Sequence, residues 1–125
     1  MKPYYEILEG IYMQMLVIVL NKVECLEDLL TEFGKAHISG ATILDSRGMA
    51  MELAEHNDLR FIGSLRFLLE PQRKENKTIF MVIEEEKVAT VSKIVNKVTG
   101  GLDKPNTGII FTVPVKYMEG IVHHE

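Results

Sequence analysis

Residues 99–115, TGGLDKPNTGIIFTVPV, concentrate the residue types that can hold a ligand. Gly100 and Gly101 stand where a helix should stop. The polar turn Asp103-Lys104-Pro105-Asn106-Thr107-Gly108 follows, then the apolar run IIFTV at 109–113. Paired glycines ahead of an Asn-Thr-Gly turn predict several free backbone N–H groups beside the mouth of a strand. A concave donor cluster of that kind holds an anion or a carbonyl-rich ligand. A helix C-cap and a tight turn with no ligand account for the same residues, because glycine after a helix commonly serves capping alone.

Few other residues have spacing suited to chemistry. Of the four histidines, His56 is near Glu52, Glu55 and Asp58. If that segment is helical, Glu52, Glu55 and His56 share a face and form a candidate metal cluster. His123 and His124 read as a surface tail ahead of a metal site, and His37 as a solvated connection residue. The single cysteine, Cys25, has no partner for an internal disulfide and lies among acids, a poor setting for a nucleophile. Met13, Met15, Met49, Met51 and Met81 read as core and cleft filling, with the loop pair giving a soft, adaptable surface. No Ser/His/Asp, Cys/His or paired-carboxylate spacing occurs. The expectation is a protein without catalytic machinery and with no metal ligands assigned.

Composition narrows the class further. With 46% hydrophobic and 26% charged residues over 125 positions, the chain reads as one globular domain spanning residues 1–125. A net charge of −4, with no Lys/Arg block, argues against nucleic acid. Residues 1–10 contain two acids and no apolar run, unlike a signal peptide, and the apolar run 11–20 is half the length that spans a bilayer. A lone cysteine and no leader predict a cytoplasmic setting.

The elements that must position the turn follow from periodicity. Residues 11–20 (IYMQMLVIVL) are rich in β-branched side chains and predict a strand buried on both faces. Asn21 with Glu24 suggests a capping box, Val23, Leu26, Leu30 and Phe33 a helix stripe, and Gly34 its stop. Further strands are expected at 39–46, 77–83 and 108–115, with Pro114 marking an edge or the close of pairing. Between the last two, Glu84, Glu85 and Glu86 favour a helix N-terminus, and Val88, Val91, Ile94 or Val95, and Val98 supply its stripe. The order β-α-β, long insert, β-α-β is the split βαβ pattern. It predicts an α+β, ferredoxin-like βαββαβ sandwich with both helices on one face. Strands this apolar should not leave the other face in water, so several copies are expected to pack sheet to sheet, unless the insert covers it.

The insert occupies residues 47–76. Arg47, Gly48, Met49, Ala50 and Met51 read as small and flexible. Residues 59–70 carry Ile62, Leu65 and Leu69 at helical spacing before Pro71, either as a helix on the domain's own core or, with Phe61, as a partner-binding surface.

With these elements in place, the chain resembles the PII signal-transduction proteins over nearly all its length except the first ten residues. The family's second-strand pattern, Gly-x-Thr-x-x-x-x-Lys/Arg-Gly, is met by Gly40-Ala41-Thr42-Ile43-Leu44-Asp45-Ser46-Arg47-Gly48. The insert stands where the family has its T-loop, and Asn106-Thr107-Gly108-Ile109-Ile110-Phe111 resembles the family's Gly-x-Gly entry to the last strand. The resemblance implies a cytoplasmic homotrimer in nitrogen regulation, binding ATP or ADP in clefts between subunits, often with 2-oxoglutarate and magnesium. It further implies signalling through the T-loop to a target protein, a membrane transporter among the candidates, with no insertion into the membrane. By position, Thr42 would face the adenine base and Val82 would line its pocket. Gly48, Met49 and Ala50 would form the T-loop base. Gly108 would belong to the turn under the ligand; Gly100, Gly101, Asn106 and Thr107 join the candidate site through the donor-cluster reading of that turn.

Departures from the pattern concentrate at the phosphates. The family's phosphate-binding lysine is replaced by Ile109, and an acid near it by Phe80. Two arginines near the end of the last strand have no counterpart, the T-loop glutamine is replaced by Glu52, and the turn is about three residues longer. Loss of the lysine together with its acid is coherent, since either charge alone would be buried unpaired. Each lost charge-assisted contact removes roughly 1.5–3 kcal/mol. Tight ATP binding of the usual kind is therefore not expected, even with Arg47, Lys104 and Lys116 as partial substitutes. A mononucleotide, an adenosine-like ligand or another metabolite fits better. Two other classes share the pattern: a metal-binding trimer of the divalent-cation tolerance type, and a structural module that holds a protein through Phe61, Ile62, Leu65 and Leu69.

Overall fold

The computed structural model describes residues 12–55 and 75–120; Phe61, Ile62, Leu65, Leu69, His56, His123 and His124 lie outside the described residues. Four strands form one sheet: β1 (Met13–Leu20), β2 (Thr42–Ser46), β3 (Asn76–Glu84) and β4 (Gly108–Val115). Its order is β2-β3-β1-β4, with every neighbouring pair antiparallel. Helix α1 (Leu26–Lys35) links β1 to β2, and α3 (Val88–Thr99) links β3 to β4. A short α2 (Met49–Glu55) follows β2. This is the ferredoxin-like α+β arrangement, and Pro114 does lie on an edge strand, where a missing ladder donor is tolerated.

Alternation along the strands separates two apolar faces. On the helix face, Leu16 and Ile18 pair with Met81 and Ile79, and the four side chains pack with Leu29 and Phe33 of α1 and Val91 and Val95 of α3. At the β2 edge of that face the Asp45 carboxylate accepts a hydrogen bond from Lys77, which holds the lysine ammonium above its ordinary range.

The opposite face is apolar too. Its cross-strand rows read Leu44–Thr78–Val19–Ile109, then Thr42–Phe80–Val17–Phe111, then Val82–Met15–Val113. Val17, between two phenylalanines, is buried, whereas Ile109, Phe111 and Val113 on β4 remain 56%, 45% and 43% exposed. Leu44 on the far edge is 50% exposed.

Helix boundaries depart from the sequence reading in three places. The cap position falls on Lys22 rather than Asn21: the chain enters α1 through a single 3-10 turn, Val23–Cys25, whose cap residue Lys22 makes no side-chain cap bond, and the Asn21 side chain accepts from Asn76. Gly34 does not stop the helix but lies within it. The stop is His37, at φ 61, whose N–H reaches the Gly34 carbonyl at 3.1 Å while Ile38 N–H reaches Phe33 at 2.8 Å. That closure turns Ile38 into the core. A histidine in this left-handed conformation is strained, so His37→Gly is expected to raise unfolding free energy by about 0.5–1 kcal/mol in urea denaturation. Finally, the segment after β2 is helical from Met49 rather than flexible, because Met, Ala, Glu and Leu are strong helix formers.

Candidate functional site

Helix α3 ends as its glycines predict, with Gly100 at φ 90 and Gly101 at φ 123. The backbone donors there are not free, however. Gly100 N–H bonds the Asn96 carbonyl at 3.1 Å, Gly101 N–H the Thr99 hydroxyl at 3.3 Å, and Leu102 N–H the Asn96 side-chain oxygen at 2.8 Å. Lys104 N–H closes onto the Gly101 carbonyl at 3.2 Å. The expected open donor cluster at Gly100 and Gly101 is thus filled by Asn96 and Thr99 of the last turn of α3. Lys22 completes the cap, its Nζ donating to the Thr99 carbonyl at 2.9 Å.

The second half of the turn is anchored to β1. The Thr107 carbonyl accepts N–H groups from Asn21 at 3.0 Å and Lys22 at 3.2 Å, and Thr107 is buried. Asn106 takes a left-handed φ of 58, and Gly108 opens β4 at φ 151. Lys104 is exposed on the turn's outer side.

The loop base lies at the same end of the sheet. Register places Ser46 opposite Asn76, Lys77 opposite Leu20, and Leu20 opposite Gly108. Arg47, Gly48, Met49 and Ala50 follow Ser46 directly. The Gly48 carbonyl accepts Glu52 N–H at 3.1 Å as α2 begins, and Arg47 Nη1 is 3.2 Å from Glu52 Oε2. Met49 projects into solvent.

The candidate ligand residues fall into three groups within one chain. The turn group on β4 and the loop-base group on β2 are separated by the two central strands, about 14 Å at three strand spacings. Thr42 and Val82 form a third group, diagonal neighbours on the open face at its β2 edge. Val82 also lines a shallow depression with Met13, Gly40 and Met118, under a rim of His37, Glu84 and Lys87. Sequence periodicity gave no sign of that rim, because its residues come from the α1–β2 connection, the end of β3 and the 3-10 turn Glu85–Lys87 that follows. Cys25 is buried, its Sγ 3.6 Å from the Val98 carbonyl. Among the described residues no three His, Cys, Asp or Glu side chains gather as a metal site. No described helix is long and apolar enough to cross a membrane.

No protein-family model and no curated protein sequence matches the chain. Its likeness is structural. The crystal structure of Arabidopsis thaliana PII bound to citrate superposes with a TM-score of 0.56 at 15% identity, covering 86% of this chain and 81% of that one. A functionally unknown protein from Pediococcus pentosaceus gives 0.58 at 15% identity, covering 86% and 95%. The fold is therefore PII-like. At that identity the likeness carries the fold and leaves function to be argued from the site.

Proposed function

We propose that the chain is a PII-like sensor. Its copies close sheet to sheet as a homotrimer, a small effector occupies the seams, and the segment after β2 carries the response to a protein target. The observation that carries this reading is the apolar strip Ile109, Phe111 and Val113 on an edge strand of a PII-like sheet. An exposed apolar face of this extent marks an association surface. Association would also bring the separated turn, loop-base and Thr42/Val82 groups of different copies within reach of one ligand.

The effector class follows from the side chains at the seam. Ile109 lies beside Val19, and Phe80 beside Val17, so neither offers a cation to a phosphate chain. Arg47 and Lys104 are the cations closest in sequence to the loop base and the turn. They fit one phosphate better than three, which favours an adenine mononucleotide or a nucleoside-like ligand over ATP. A role in nitrogen control and a membrane transporter as target belong to the same proposal.

Isothermal titration with ATP, ADP, AMP and cyclic dinucleotides tests it. The expected result is binding of a mononucleotide or cyclic dinucleotide, with ATP no tighter than AMP. Heat from none of them, or tight binding of ATP alone, contradicts the effector class.

A further inference from the structure

A chain of hydrogen bonds crosses the loop end of the open face. Ser46 of β2, Asn76 and Thr78 of β3, and Asn21 just beyond β1 all meet there. Ser46 Oγ is 2.7 Å from Thr78 Oγ1 and donates to Asn76 Oδ1. A hydroxyl has one proton to donate, so Thr78 is the donor to Ser46. Asn76 Nδ2 donates to Asn21 Oδ1 at 3.3 Å, and Asn21 N–H donates to the Thr107 carbonyl at 3.0 Å.

Donation therefore passes in one direction, from Thr78 of β3 to Ser46 of β2, back to Asn76 of β3, and on through Asn21 to the turn before β4. The central link, Asn76, is only 9% exposed, so its amide has little water to fall back on. Its amide also lies close to the loop base, where a Cβ at Gly48 would stand 3.8 Å from Asn76 Nδ2. Ser46, Asn76 and Asn21 are far apart in sequence, and only the register of the sheet brings them together.

We infer that Asn76 is a positioning residue that ties the base of the loop to the turn before β4, so that ordering one sets the other. The consequence for signalling rests on the sensor reading; the tie itself is a property of the ligand-free chain. A polar cluster that merely fills the sheet end would give no selective link between the two.

Hydrogen exchange of the full ligand-free chain, resolved by residue, separates these cases. Asn76→Asp keeps the size and the acceptor for Ser46 but removes the donor to Asn21, setting two oxygens face to face. The amides of Asn21 and Lys22, which report the grip on Thr107, are expected to exchange about tenfold faster, with Leu16 and Ile18 unchanged. Ser46→Ala, made at the opposite end of the chain of bonds, is expected to speed the same two amides several-fold. Unchanged exchange at Asn21 and Lys22 in both variants overturns the tie, as does one common acceleration along all of β1. Neither readout needs a nucleotide, so failure of the tie and failure of the sensor reading are separate results.

Discussion

Replacing Phe111 with glutamate is expected to leave the chain folded and to abolish its self-association. Phe111 points to the face opposite the helices, in the row Thr42–Phe80–Val17–Phe111, and is 45% exposed in the single chain. A carboxylate there keeps its water in the monomer, and the core around Leu16, Ile18, Phe33 and Val95 is on the other side of the sheet. In an assembly the same carboxylate would be drawn into an apolar seam with no cation among its row neighbours. Desolvating an unpaired charge costs several kcal/mol. A symmetric trimer would repeat that cost at each of its seams, on top of the lost phenylalanine contact. Sedimentation velocity should show one slow species for Phe111→Glu at concentrations where the parent protein is assembled. Far-ultraviolet circular dichroism and the cooperativity of urea unfolding should match the parent.

The second large effect belongs to the turn. Gly108→Ala is expected to destabilise the fold by about 3 kcal/mol, combining backbone strain with overpacking. Gly108 has φ 151, and a Cβ there would sit 2.5 Å from the Val19 carbonyl oxygen and 3.4 Å from Leu20 Cα. Both obstacles are backbone atoms of the central strand, so no side chain can swing aside. The turn must shift instead, pulling at the Thr107 carbonyl that holds Asn21 and Lys22. Gly34→Ala makes the informative contrast. A Cβ at Gly34 meets nothing within 4 Å, and the residue is inside α1. Alanine there should stabilise by roughly 0.5–1 kcal/mol through helix propensity. Opposite signs for one substitution at two glycines, read by urea denaturation, check that turn geometry rather than glycine content is what matters.

How far the sequence foretold these features depends on the range of the interaction. The strand at 108–115 and the buried stripe Val91 and Val95 were legible because each follows from alternation or helical spacing within a single segment. So was the edge position of Pro114. Less local features were not. Asn21 followed by Glu24 has the form of a capping box, but Asn76 arrives from β3 and takes the Asn21 side chain. Gly34 has the composition of a helix stop, yet the chain continues to a left-handed His37 because that closure brings Ile38 into the core.

At the candidate site the glycines were read correctly as a helix end and wrongly as open donors. Side-chain atoms of Asn96 and Thr99 reach forward over the turn and occupy the donors of Leu102 and Gly101. Nothing in residue spacing reveals that, since Asn96 and Thr99 also fit an ordinary last helical turn. The helix Met49–Glu55 had a readable signal in its helix-forming composition, which Gly48 directly ahead of it and the shortness of the run obscured. The polar chain through Asn76 had none, because its members acquire meaning only once β2, β3 and β1 are in register.

Sedimentation equilibrium of the unmodified chain tests the central claim most directly. A chain of 14.2 kDa whose exposed β4 strip seals against copies of itself should run at three times that mass over the micromolar range, with no concentration at which a folded monomer dominates. A single ideal species at the mass of one chain would contradict the account and remove the seams in which an effector is proposed to bind.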